Sequence, residues 1–453
     1  MKRVLIFAVL FLGCAAVFAQ SDGAADLFVP TSVPGGSPLS LQEAIDIALK
    51  DNTNVRNAVK TLQTYKAQIK QYKSYIYPTL SLSGSYTYNI ERPAFFINGT
   101  KVTVGEANNY AAGLDADWLL WSGGMVRAGV KIAKDTELSG QYNLQSVRDD
   151  IERQVKEMAY MIFLSNAVAK VQQGYLDIAK QNLREMQAKY KEGLSSNLDL
   201  LSQEVSVANI EPLVTQAQNN YELGTLYLKR LLNKDPEDNV YLTWDNFFVI
   251  KEPKPLDELY SLASANRPDL ALSKLTADIA KAAVTVAQAG YYPQLSAFGS
   301  KYYNAQTNGG LPDSDSYYWT SSVGVRFSMP LFQGFLVKSQ VEQKQLAYET
   351  AEMNYEDMKR SVRISIKSAW LNFYEAKKSM GSGDAVIKQS KQNLDAMRKR
   401  YRAGLASRLE LDDAAVALTN AQLQYVQAVH DALTALADLR FQVGTEVVVA
   451  KQL

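Results

Sequence analysis

The 453-residue chain is close to neutral, with 48 basic and 47 acidic residues, and holds one cysteine and one histidine. That balance gives no field to gather nucleic acid. With so few ligating or nucleophilic side chains there is no nucleophile–base pair, His-based metal cluster or phosphate loop, so neither catalysis nor a cofactor is expected.

Lys2 and Arg3 precede an apolar run from Val4 to Phe18, and Val17-Phe18-Ala19 places small residues where a signal peptide is cleaved. Residues 1–19 therefore read as a signal peptide cut after Ala19, which takes the net charge from +1 to −1 and removes Cys14, the only thiol. Lipid attachment at Cys14, after Phe11-Leu12-Gly13, is the alternative, with Phe11 a poor fit to that signal. Beyond it no segment approaches the ~18 apolar residues of a spanning helix, so membrane insertion would have to use β-strands.

Residues 20–39 read as an irregular lead-in. Ser40 and Glu43 form a capping box for a helix running to about Tyr75, where Tyr77-Pro78 stops it. Strict alternation follows, with Leu80, Leu82, Tyr86, Tyr88 and Ile90 on one face and Ser or Thr on the other. After a polar loop, Leu114, Ala116, Trp118 and Leu120 alternate with Gly113, Asp115 and Asp117. Both strands have the roughly ten residues of a tilted membrane crossing. A helix of ~65 residues, on the order of 100 Å, then runs from Gly124 to a turn at Gly193 and returns over 198–232.

The order then repeats. Tyr77-Pro78-Thr79-Leu80-Ser81 returns as Tyr292-Pro293-Gln294-Leu295-Ser296, 215 residues on, and Tyr190-Lys191-Glu192-Gly193-Leu194 as Tyr401-Arg402-Ala403-Gly404-Leu405, 211 on. A helix from Leu256, two strands (Lys301 on the apolar face of the first) and a long hairpin follow. That hairpin is expected to break at Gly381-Ser382-Gly383, turn at Gly404 and end near Val443. The division is a first repeat at 40–255, a second at 256–445 and a tail at 446–453. Four strands cannot close a barrel, and open edges in lipid are costly, so the chain must oligomerise; three copies supply twelve strands and polar faces lining a pore.

The signal segment and the helix–strand–strand–helix–turn–helix order, present twice with Tyr-x-x-Gly-Leu turns, resemble the TolC-type outer-membrane factor family across the mature chain. The resemblance implies an α+β membrane protein whose long helical hairpins form a trimeric α-barrel below a shared twelve-stranded β-barrel. It implies a conduit of a tripartite efflux pump or type I secretion system, in the outer membrane and reaching into the periplasm. Its partners would be two further copies, outer-membrane lipid, a periplasmic adaptor (membrane fusion protein) and, through it, an RND, ABC or MFS transporter of the inner membrane. Carried over by position, Glu410 and Asp413 would be acidic gate residues, with Asp199 their first-copy match and Tyr401 in a latch. Ala406 stands where the family can use a basic latch residue, and Arg402 and Arg408 lie near with different phase. Adaptor docking would fall on Gly193, Leu194, Ser195, Ser196, Gly404, Leu405, Ala406 and Ser407. Residues 233–255 and 381–384 would belt the shaft.

Simpler readings stand beside these. The three acids also suit helix starts, Gly193 and Gly404 suit C-caps, and Tyr401 extends the seam of Leu394 and Met397. Trp118, Trp121, Tyr317, Tyr318 and Trp319 fit an interfacial aromatic belt or the rim of a soluble sheet. His430 is incidental to a helix. The rival function is a periplasmic hairpin adaptor or scaffold that makes no pore.

Overall fold

A computed structural model describes residues 36–243, 250 and 252–448. The expected signal peptide, Cys14, most of the lead-in and most of the tail lie outside the described residues. In chain order the elements are β1 (Ser37–Leu39), α1 (Leu41–Asp51), α2 (Thr53–Ser74), β2 (Thr79–Tyr88), β3 (Ala94–Ile97), β4 (Thr100–Thr103), β5 (Asn108–Trp121), α3 (Met125–Lys191) and α4 (Asn197–Leu231). Then come β6 (Val240–Leu242), α5 (Leu256–Asn266), α6 (Pro268–Gln288), β7 (Gln294–Thr307), β8 (Tyr317–Ser328), α7 (Leu336–Arg402) and α8 (Arg408–Val443). They form two units, one of Ala58–Leu144 with Pro268–Lys359, the other holding the rest.

The first unit is built on an antiparallel sheet in the order β2-β5-β7-β8. Period-2 alternation and the observed register put Leu80, Leu82, Tyr86, Leu114, Trp118, Leu295, Tyr303, Trp319, Val323, Val325 and Phe327 on one face. Ser81, Ser83, Asp115, Asp117, Ser300, Asn304, Thr320, Ser322 and Arg326 occupy the other. Trp118 and Trp121 differ in parity, yet a bulge between Leu119 and Trp121 sets Trp118 opposite Ala297 and Trp121 opposite Leu295, on the same apolar face. Lys301 does fall on that face, where its ammonium lies 4.8 Å from the centre of the Trp319 ring. A cation–π contact and a long stem reconcile the charge with its surroundings. Among the described residues neither β2 nor β8 has a second strand partner, so the sheet has two open edges.

Around the sheet, three local details depart from the sequence reading. The loop after β2 contains a hairpin, β3 with β4, turned at Asn98 and Gly99 with φ +50° and +80°; this Asn-Gly turn is a strong hairpin signal that the polarity of the loop obscured. β5 also starts at Asn108, and β8 at Tyr317, earlier than the alternation alone marked.

In the second unit the helix expected over 40–75 divides at Asn52. Its side-chain amide donates to the Leu231 carbonyl at 2.8 Å while its Oδ1 accepts from the Asn54 N–H at 2.8 Å, capping a new helix start. The matching helix of the second repeat divides at Arg267, whose ψ of 116° is the extended conformation imposed by Pro268. The expected break at Gly381–Gly383 is absent: α7 runs unbroken for 67 residues. Gly383 is there for close approach, since a Cβ would meet Tyr425 Cδ2 at 2.8 Å. The core lies along α3, α7 and α8, where Ile151, Val155, Phe163, Ile366, Phe373, Val426 and Leu439 are fully buried, each worth about 2 kcal/mol. β1 and β6 pair in parallel beside it.

Candidate functional site: the helical turns and their acids

Both hairpin turns end in the same cap. The Gly193 N–H reaches the Tyr190 carbonyl at 3.0 Å and Leu194 reaches Lys189 at 2.8 Å; Gly404 reaches Tyr401 at 3.0 Å and Leu405 reaches Arg400 at 2.8 Å. This pair of bonds is the Schellman motif, and each glycine sits at φ +72°, where a Cβ would be strained. The return helices start with capping boxes. Ser196 Oγ accepts from the Asp199 N–H at 3.1 Å while Asp199 accepts from the Ser196 N–H at 3.2 Å. Ser407 and Glu410 repeat the arrangement, at 3.3 and 2.6 Å. Ser196 side-chain and backbone donors hold the Asp199 carboxyl below its usual range, and Ser407 does the same for Glu410, chiefly through its backbone N–H. Asp199 and Glu410 are thus engaged by their own helix starts. Asp413 is exposed and, among the described residues, makes no hydrogen bond or ion pair.

Tyr401 lies under two cations. Lys189 Nζ is 3.2 Å from its hydroxyl and 4.9 Å from its ring centre, and the Arg408 guanidinium is 5.6 Å from that ring. Arg408 also grips both oxygens of Asp412, at 2.9 and 3.1 Å, and donates to Gln203 Oε1 at 3.2 Å. Gln203 Nε2 closes the ring onto Asp412 at 3.2 Å. Leu394, Leu411, Ala414 and Ala415 pack beneath, with Met397 and Tyr175 against them. Arg408 therefore joins Tyr401, whereas Arg402 does not, and Ala406 contributes no charge. Lys189, Gln203 and Asp412 escaped the sequence reading. Gln203 left a trace, a polar residue in the buried row with Val207, Ile210 and Val214. The network belongs to the second turn alone: 211 residues earlier, Arg408, Asp412 and Asp413 correspond to Asn197, Leu201 and Ser202.

Four leucines, Leu194 and Leu198 at the first turn and Leu405 and Leu409 at the second, are more than two-thirds exposed. Leu198 and Leu409 lie just beyond the turns, in the first turns of α4 and α8. Ser195 Oγ meets Met186 Sδ at 2.9 Å.

Residues 44–234 and 259–445 match the outer membrane efflux protein family. The chain belongs to that family. It is 23% identical over 440 residues to the outer membrane protein TolC of Salmonella enteritidis, covering 92% of this chain and 85% of that one. The cobalt-zinc-cadmium resistance protein CzcC of Cupriavidus metallidurans is 23% identical over 433 residues, 94% of this chain and 96% of its own. In fold, the CmeC outer membrane channel of Campylobacter jejuni superposes with a TM-score of 0.76 at 19% identity, over 90% of this chain and 86% of that one. This outer-membrane efflux protein is a transport component with the α+β channel fold and internal duplication of its relatives, and the adaptor reading is set aside.

The family gives the sheet its setting. Trp118 and Trp121 mark the end of β5 nearer α3, and Tyr317 and Trp319 mark the opposite end of the apolar face; Tyr318 lies on the polar face with Asn304. From Leu295 to Tyr303 along β7 is about 26 Å, which at a barrel tilt of about 40° covers about 20 Å of the ~25 Å apolar membrane band.

Proposed function

We propose that three copies close into a channel crossing the outer membrane on twelve strands and continuing as paired helices into the periplasm, as the exit duct of a tripartite efflux or type I secretion system. One observation carries this reading: a four-stranded sheet with one apolar face, one polar face and two open edges. Lipid solvates the apolar face only if every edge is paired, and threefold closure pairs both edges of each copy. Residues 1–19 direct export, with cleavage after Ala19, and 40–255 and 256–445 are the two repeats.

At the periplasmic end, Asp413 forms the cation-selecting ring, with Glu410 and Asp199 adding charge from their caps. Tyr401, Lys189, Arg408, Gln203 and Asp412 hold each second turn to its own hairpins as a latch. Three carboxylates around a narrow axis favour cations and repel one another. The turns Gly193–Ser196 and Gly404–Ser407, with their exposed leucines, receive a periplasmic adaptor and through it an inner-membrane RND, ABC or MFS transporter. Planar-bilayer recording of the purified protein tests the whole. Cation-selective steps are expected, with the selectivity reduced in Asp413→Asn. A protein that gives no conductance and leaves membranes in carbonate alone is no channel.

A further inference from the structure

The duplication makes a contact inside the chain a template for one between chains. At the end of β5, the Trp121 ring meets Tyr292 edge-on, centroids 6.3 Å apart and planes at 81°. The following turn is pressed against the same residue, so closely that a Cβ on Gly123 would lie 2.7 Å from Tyr292 Cβ and 2.9 Å from the Ala289 carbonyl oxygen. The repeat offsets of 211 and 215 map Trp121 to Phe332, Gly123 to Gly334, Tyr292 to Tyr77 and Ala289 to Ser74. Yet among the described residues of its own chain a Cβ on Gly334 meets no atom within 4 Å. The second half of the template is at the other edge of the sheet. Tyr75, Ile76 and Tyr77 there, like Leu331, Phe332, Phe335 and Leu336 here, are between half and nine-tenths exposed.

Resting on the trimer reading above, we infer that Phe332 and Phe335 of one copy clasp Tyr77 and its neighbours in the next. Several facts fit one arrangement. Trp118 Nε1 donates to the Ile76 carbonyl at 2.8 Å, holding the Tyr75–Tyr77 segment beside the row of Trp118, Ala297 and Val325. Transferring the β5–β7 register, in which Leu114 faces Lys301 and Ala116 faces Gly299, sets Val325 opposite Tyr86 and Phe327 opposite Gly84 of the next copy. All four lie on the apolar face, so the closure keeps the lipid surface continuous. It also places Phe332 beside Leu80 and Tyr77 of that copy.

Phe335 sharpens the case. Its first-repeat counterpart, Gly124, has φ +91°; Phe335 takes φ +65°, a region that bulky side chains avoid. Its ring packs edge-on against Phe332, centroids 5.7 Å apart. Phe332 with Phe335 thus builds the apolar mass that Trp121 supplies alone in the first repeat. The strain is sustained because the pair is covered in the assembled channel.

The one cysteine, Cys14, lies in the segment proposed to be removed by cleavage after Ala19, so paired thiols introduced elsewhere can report the contact. The full-length Tyr77→Cys/Phe332→Cys protein, treated in membranes with a short bismaleimide, is expected to run at two and three times the protomer mass. Either single variant should not. Trp121→Cys/Tyr292→Cys should cross-link within one chain and keep its mass. Phe335→Gly is expected to fold and assemble, and to give a trimer that dissociates at lower temperature. A trimer by light scattering whose double variant yields no higher bands overturns the clasp and leaves the channel reading intact; a monomer overturns both. An unchanged dissociation temperature in Phe335→Gly removes Phe335 from the clasp.

Discussion

Asp199 and Glu410 carry a pH dependence whose sign follows from their caps. Hydrogen bonds lower both carboxyls from ordinary values of 3.8 and 4.5, so the folded turn favours the charged form. The stabilisation is complete above the ordinary values and is lost as pH falls through the lowered ones. Amide-exchange protection at the starts of α4 and α8 should therefore be constant at neutral pH and decline in acid. Glu410→Gln preserves the reciprocal cap and should flatten that decline at α8 only. Ser407→Ala removes the cap and should loosen the same helix start by about 1 kcal/mol. At the second turn, Arg408→Ala leaves Asp412 and Gln203 without their shared donor and uncovers Tyr401. Higher open probability in bilayers is the expected result; unchanged gating would reduce the network to packing. The carboxylates and Tyr401 were legible as residues near a turn. Lys189, which meets Tyr401, and Gln203, which meets Arg408 and Asp412, were not, because each comes from the other hairpin, more than 200 residues away in sequence.

Elements were readable where chemistry is local. The capping box at Ser40, the Gly turns at Gly193 and Gly404 and the alternation of β2 all formed as the residues dictate, and Asp199 and Glu410, expected only as helix-start acids, complete further capping boxes with Ser196 and Ser407. Misreadings arose where a residue has two uses. Gly381-Ser382-Gly383 looks like a breaker, yet α7 continues because Gly383 makes room for Tyr425. Gly383→Ala should therefore destabilise by about 1–3 kcal/mol through overpacking, although alanine is the better helix former, and lower the melting midpoint. Tyr425→Ala in the same chain should remove that overpacking penalty. A stability gain from Gly383→Ala alone would mean the glycine is a tolerated weakness and not a packing requirement. Asn52 likewise looks like an ordinary polar helix residue until its amide finds the Leu231 carbonyl, 179 residues distant in sequence. Pro268 did mark its break locally.

At the scale of the molecule, the sequence by itself determined the duplication, the membrane-length strands with one apolar and one polar face, and the need for partners at the open edges. Those properties follow from periodicity and from the cost of unpaired backbone in lipid, which no tertiary detail alters. Only the tertiary structure decided which faces the bulge assigns to Trp118 and Trp121, that Lys301 rests on Trp319, and that Arg408 rather than Arg402 covers Tyr401. It also revealed that the approach filled at Gly123 lies open at Gly334. Each of these depends on register or on contacts across repeats, and a one-residue shift that composition cannot detect moves a side chain to the opposite face.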